Sequence, residues 1–216
     1  MIISRVSLYT NYLNQLKEFY IDHLGFIELT SDEKSFKIKI GQSVLEFIQN
    51  DDLEKPFYHF AFNIPTDIVD SAKEWAKSKV ALTTEEDEDE VYFTNSKAQS
   101  FYFLDPAGNI VEFISRKEVS PASEAPHFTT DHLLNISEIN LTTNNVISIG
   151  NQLINFGIPA RDNESLDSDF LNFMGEKEDG AFLLLGPKGR RWIFSDADSE
   201  VFPLSIHIQL QTSHDE

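Results

Sequence analysis

A repeated opening phrase constrains this chain more than any other feature. Ile3-Ser4-Arg5-Val6-Ser7-Leu8-Tyr9-Thr10-Asn11 matches Ile136-Ser137-Glu138-Ile139-Asn140-Leu141-Thr142-Thr143-Asn144 at five of nine positions. Between them, Tyr58-His59-Phe60-Ala61-Phe62-Asn63-Ile64-Pro65-Thr66 has the same length and punctuation. Self-similarity of this kind means one supersecondary unit used several times. Each phrase is a short β-prone run closed by a polar cluster that can start a helix. Helical spacing follows in each case. Leu16, Phe19, Tyr20, His23 and Leu24 share one face before Gly25, as do Ile68, Ala72, Trp75 and Ala76 after Asp67, and Val146, Ile149, Leu153 and Ile154 before Gly157.

Strand pairs complete the units. Ser35–Ile40 and Ser43–Gln49 around Gly41-Gln42 predict one hairpin, and Gln99–Leu104 and Asn109–Ser115 around Asp105-Pro106-Ala107-Gly108 a second. Gly180–Leu185 and Arg190–Phe194 around Gly186-Pro187-Lys188-Gly189 predict a third. The fold class is therefore α+β, with three βαβββ units and an extra strand at Phe202–Leu210. Residues 1–116 hold two units expected to pair around a site, 117–132 read as a linker, and 133–216 hold a third, degenerate unit.

Composition narrows the function. Eighteen Phe against two Met predict a core built on aromatic rings. Seventeen basic against 36 acidic residues give a formal charge of −19, a field that repels phosphate backbones and argues against nucleic acid. Cysteine is absent, which removes thiolate metal sites and cysteine nucleophiles. No apolar run approaches the roughly 20 residues of a spanning helix, so no membrane partner is expected. The first residues lack a signal-peptide layout, which makes a cytoplasmic location the expectation. Glu85–Glu90, six consecutive acids, reads as a solvated loop.

Superimposing the repeats puts Arg5, His59 and Glu138 at one position. The late strands carry Glu46 and Glu112 at another, with Ile193 expected there in the third unit. A carboxylate between apolar strand neighbours faces the other side of the sheet. Its recurrence at matched positions favours an enclosed polar cavity over solvent.

Asp105-Pro106-Ala107-Gly108-Asn109-Ile110-Val111-Glu112-Phe113 resembles the closing signature of the vicinal oxygen chelate superfamily, which includes glyoxalase I, bleomycin-resistance proteins and extradiol dioxygenases. Phe19-Tyr20-Ile21-Asp22-His23-Leu24-Gly25-Phe26 and His59-Phe60-Ala61-Phe62 fit the same pattern. The resemblance covers residues 1–116 well and 133–194 more loosely. It implies cupped mixed sheets (the glyoxalase/bleomycin resistance/dioxygenase fold) and a divalent metal held by the first and last strands of paired units. Carried over, the site comprises Arg5, Glu46, His59 and Glu112, with Arg5 where a histidine is usual. A guanidinium has no lone pair to give a metal.

Two arrangements remain open. Glu46, His59 and Glu112 form a three-ligand site suited to Fe, Mn, Ni or Zn, with Glu46 or Glu112 doubling as a base. Alternatively Arg5 replaces the metal and pairs with both carboxylates. Tyr102, in Tyr102-Phe103-Leu104-Asp105-Pro106, resembles the tyrosine that helps orient and deprotonate a catechol in extradiol dioxygenases, which makes it a catalytic candidate, although the histidine preceding it there is missing. Arg5 and Tyr102 are then substrate-binding candidates. The expected function is a metal-dependent lyase, isomerase or dioxygenase acting on a small molecule with vicinal oxygens. The alternative is a metal-free binding protein of the bleomycin-resistance type. Glu138 and the third cup are expected to be structural. His23, His127, His132, His207 and His214 follow no zinc spacing. Both a homodimer through sheet edges and a monomer are compatible with three units.

Overall fold

The computed structural model describes residues 1–210; His214 lies outside them. The first unit contains β1 (Ile2–Thr10), α1 (Leu13–Lys17), β2 (Glu28–Ser31), β3 (Ser35–Ile40) and β4 (Ser43–Gln49). Here α1 runs on as a π-helical turn over Glu18–His23, and Gly25 at φ +77° reverses the chain. The second contains β5 (His59–Asn63), α2 (Val69–Lys77), β6 (Val91–Phe93), β7 (Ala98–Leu104) and β8 (Ile110–Arg116). The third contains β9 (Asn135–Thr143), α3 (Val146–Asn155), β10 (Asn172–Met174) and β11 (Phe182–Pro187), and β12 (Leu204–Gln209) follows. Among the described residues, no helix is long and apolar enough to cross a membrane.

These strands form two mixed sheets, β12-β1-β4-β3-β2 and β10-β11-β9-β5-β8-β7-β6. The expectation that units one and two pair around a site is corrected here. Units two and three share a sheet, joined by the antiparallel β5–β9 pair. The free edge of β1 is covered instead by β12, also antiparallel.

Strand alternation explains this. Leu45 and Phe47 of β4 and Phe60 and Phe62 of β5 are fully buried in one core. Ring contacts cross between the units, with Phe47 to Phe60 at 6.5 Å and Phe26 to Phe62 at 6.1 Å, and Tyr20 packs beside them 5.3 Å from Phe47. Units one and two thus meet face to face through an aromatic layer. Residues that alternate with these rings, Glu46 on β4 and His59 on β5, point to opposite outer faces. Two contacts lock the sheets together. The Ser43 hydroxyl donates to the Ile3 carbonyl at 2.6 Å and accepts from the Ile136 amide at 3.0 Å. At the β3–β4 turn, a Cβ on Gly41 would lie 2.0 Å from the Leu134 carbonyl oxygen, so only glycine permits this approach.

The first two hairpins form as the turn residues predict. The third does not. Gly186 and Pro187 continue β11 alongside Thr142 and Thr143 of β9, and its antiparallel partner is β10 rather than Arg190–Phe194. Arg190–Phe194 instead forms an irregular segment closed by an Arg191–Asp198 bridge. The linker is packed as well. Phe128 is buried, with its ring 5.1 Å from Trp75 and 5.8 Å from Phe113.

Candidate metal centre

On the outer face of the larger sheet, β5, β8 and β9 bring three ionisable side chains together. His59, Glu112 and Glu138 are all buried, and one ligand atom from each lies within 4.8 Å of the others. His59 Nε2 is 3.4 Å from Glu112 Oε2 and 3.8 Å from Glu138 Oε2. The register explains the convergence, because Ala61 lies opposite Glu112 on one side and Glu138 on the other.

The other ring nitrogen of His59, Nδ1, sits 3.1 Å from the Ile110 carbonyl. A carbonyl only accepts, so Nδ1 carries the proton and Nε2 faces the carboxylates. Arg116, on β8, ion-pairs with Glu138 Oε1, and its Nε and Nη2 donate to Ser137 Oγ at 3.2 and 3.1 Å. Glu112 Oε1 is buried without a hydrogen-bond partner.

Burial pushes His59 down, but hydrogen bonds and charge from Glu112 and Glu138 outweigh it and raise the imidazole to about 9. Burial also pushes Glu138 up, and His59 and Arg116 overcome it to hold the carboxyl below its ordinary range. Tyr102 is raised well above an ordinary phenol, first by burial and then by the charges of Glu112 and Glu138, so it stays a hydrogen-bond donor.

A cavity of about 560 Å³ opens beside these groups. Aromatic rings form much of its wall. Tyr102 and Trp192 line it; Phe194 stacks behind Tyr102 at 4.6 Å and 12°, and Trp192 lies 4.8 Å from the His59 ring. Phe194 and Trp192 belong to the irregular segment after β11. Glu85 of the acidic loop anchors that segment, pairing with Arg191 and accepting the Phe194 amide at 2.9 Å.

Of the residues singled out from sequence, His59, Glu112 and Tyr102 meet here. Glu46 and Arg5 do not, because they lie on the outer face of the smaller sheet. Glu46 accepts the Ser7 hydroxyl at 2.6 Å and lies 3.4 Å from Lys37, while Arg5 Nη2 is 2.5 Å from His207 Nε2. The cation paired with a carboxylate of the cluster is Arg116, not Arg5. Glu138, expected to be structural, supplies the third carboxylate-or-imidazole group. Its shared repeat position with His59 was the available signal. Ile193 is not the counterpart of Glu112. That place across from Asn140 belongs to Leu184, so the third unit adds no second carboxylate there.

Cavity, orphaned carboxylate oxygen and donor set together fit a divalent cation of the hard-to-borderline kind. No curated protein sequence matches the chain. Among solved structures, a putative dioxygenase from Bacillus subtilis subsp. subtilis str. 168 aligns over 85% of this chain and 62% of its own, at 14% identity and a TM-score of 0.58. Lactoylglutathione lyase from Agrobacterium tumefaciens aligns over 52% of this chain and 92% of its own, at 23% identity and a TM-score of 0.43. The bleomycin resistance determinant encoded on transposon Tn5 aligns over 54% and 99%, at 17% identity and a TM-score of 0.43. Residues 136–190 match the sequence model named Toxoflavin-degrading enzyme. Residues 2–113, just over half of the chain, match that of the Glyoxalase/Bleomycin resistance protein/Dioxygenase superfamily, and the chain belongs to this superfamily.

Proposed function

We propose that this protein is a divalent-metal-dependent enzyme acting on a small substrate with two adjacent oxygens, of lyase, isomerase or dioxygenase type. The observation that carries the reading is the buried His59, Glu112 and Glu138 group beside an aromatic cavity, with Glu112 Oε1 unpartnered. Fe, Mn, Ni and Zn all suit an imidazole with two carboxylates. The match of residues 136–190 to a degrading-enzyme model supports the same reading, because that stretch contains Glu138.

A bound divalent ion would act there as a Lewis acid on the substrate oxygens, stabilising the anion that develops. The protein's own groups do the rest. Arg116 keeps Glu138 ionised and oriented. The Ile110 carbonyl holds the His59 tautomer with Nε2 inward. Glu112 turns its unpartnered Oε1 to the ion, and Tyr102, held as a neutral phenol, donates a hydrogen bond to a substrate oxygen. Trp192 and Tyr102, the latter backed by Phe194, form the wall that excludes water from one side of the substrate.

A second reading, a metal-free small-molecule binding protein, draws on one observation. With His59 protonated, His59 and Arg116 balance Glu112 and Glu138 in charge. Metal content by mass spectrometry, on protein purified without a tag, separates the two. Near-stoichiometric metal in the wild type, lost in His59→Gln and Glu138→Gln, supports the enzyme. No metal after dialysis against Fe(II), Mn(II), Ni(II) and Zn(II) sinks it.

A further inference from the structure

The formal charge of the chain is −19, yet the cavity wall has the opposite sign. Three of the five arginines, Arg116, Arg161 and Arg190, line it against two carboxylates, Glu112 and Glu138. Arg116 is committed to Glu138. The other two are not. Among the described residues, no carboxylate lies within 4.0 Å of the Arg190 guanidinium, and Arg161 has only its neighbour Asp162 at 3.9 Å, beyond hydrogen-bond distance.

Both guanidinium groups are held in place by their flat faces. Arg161 Cζ sits 4.4 Å over the Phe173 ring and Arg190 Cζ 4.3 Å over the Trp192 ring. Stacking uses the face of a guanidinium and leaves its N–H edge open for in-plane bonds. The backbone fixes each position further. Arg161 precedes Asp162 and Asn163, both at positive φ, and the Arg190 amide donates to Ser199 Oγ at 3.0 Å. Arg190 Nη1 donates to the Arg191 carbonyl at 3.1 Å, which orients that fork and leaves its other N–H groups for a ligand. Two immobilised forks with donors to spare, in a cavity large enough for a drug-sized molecule, form a receptor for an oxyanion.

We propose that Arg161 and Arg190 bind an anionic group, a carboxylate or a phosphate, carried by the small substrate whose vicinal oxygens face His59, Glu112 and Glu138. This rests on the metal-site reading for the substrate's orientation, but not for the anion preference itself. An overall field of −19 repels anionic substrates from most of the surface, so the local excess of positive charge gives the cavity a preference that neutral ligands do not feel.

The test is calorimetric binding of 3,4-dihydroxybenzoate, 3,4-dihydroxyphenylphosphonate and the neutral methyl ester of the benzoate to Zn(II)-loaded protein, repeated on metal-free protein. The expected result is that at least one anion binds about tenfold or more tighter than the ester. Arg161→Gln and Arg190→Gln each remove most of that advantage and leave ester and Zn(II) affinities unchanged. Whichever of carboxylate and phosphonate gains more identifies the anion. Equal affinity for anions and ester, no binding of either anion, or an advantage that survives both substitutions overturns the proposal. Failure of the metal reading looks different. Zn(II) then does not bind, while the anion-to-ester ratio and its loss in the arginine variants persist in metal-free protein.

Discussion

On the smaller sheet, Glu46 of β4 lies between Ser7 of β1 and Lys37 of β3. At the matched place on the larger sheet, Glu112 of β8 lies between Ala61 of β5 and Tyr102 of β7. The next strand over contributes Ser205 opposite Ser7 in one case and Glu138 opposite Ala61 in the other. Arg5 and His59 complete the comparison. One repeat, used twice, thus presents two chemistries. On the smaller sheet a hydroxyl and an ammonium answer the carboxylate, and its demand is met from within. On the larger sheet a methyl group stands where the hydroxyl would be, a second carboxylate is added, and one oxygen is left without a partner. The difference teaches that a candidate metal site is marked less by the carboxylate than by what its neighbours decline to donate.

The largest way to break this comparison is to remove one of the proposed ligands. Glu138→Gln keeps the shape and the Arg116 contact but loses the charge. Its metal affinity is expected to fall by more than the roughly 10–100-fold that outer contacts are worth. Equilibrium dialysis against a competing chelator measures it. Glu46→Gln in the same assay leaves the affinity unchanged, and a loss there would mean that the two faces are linked.

A second difference lies in the hairpin turns. The β3–β4 turn is short and closes on Gly41, whereas the β7–β8 turn buries Asp105. That carboxyl accepts Tyr20 Oη at 2.8 Å, Asn109 Nδ2 at 2.7 Å and two backbone amides. Burial raises it to about 6 despite these donors. Since the folded value exceeds the unfolded 3.8, the native state binds more protons between pH 4 and 6. Stability from this group is full below about 4 and is lost as pH rises through about 6, by on the order of 3 kcal/mol. Denaturant midpoints against pH should therefore show a smaller decline over that window in Asp105→Asn than in the wild type.

Much of this architecture was legible from residues alone, and the part that was not has a physical cause. Turn chemistry at Gly41-Gln42 and Asp105–Gly108 located two hairpins within a residue, because proline and glycine dictate local dihedrals. Gly186-Pro187 misled for the same reason. Both can end a strand as well as turn one, and pairing with β9 decided the outcome. His59, Glu112 and Tyr102 were found because alternation within a strand is a local property. Glu46 was grouped with them wrongly, since which sheet faces which depends on the aromatic layer of Phe47, Phe60 and Phe62 and on the edge that β12 covers. Glu138 carried its signal in the repeat, but its value appears only when β9 is seen beside β5. Trp192 and Phe194 lie in irregular backbone with no period to reveal them.

Ala61→Ser sharpens the comparison at its central atom. It places at β5 the hydroxyl that Ser7 supplies on β1, facing a carboxylate oxygen that is buried and unpartnered. A new donor would stabilise Glu112 in a geometry set by the protein rather than by an ion. The expected result is a metal affinity weaker by about tenfold, at the low end of outer-contact effects, with thermal stability of the metal-free protein equal or higher. Unchanged affinity would mean that Glu112 Oε1 takes no part in holding the ion.

The smallest effect belongs to the smaller sheet. Glu46 and Lys37 are 3.4 Å apart, with side-chain exposures of 13% and 32%, so the pair is screened on one side. Such pairs contribute about 0–1 kcal/mol. Lys37→Met should fall in that range by urea denaturation, whereas Ser7→Ala should cost more, because it strips a 2.6 Å hydrogen bond from the more buried partner. If instead Lys37→Met costs as much as breaking the Arg116–Glu138 pair, the smaller sheet's outer face is not a solvated surface. It is then an enclosed charge network like the one beside His59, and the two faces differ only in which cation each was built to hold.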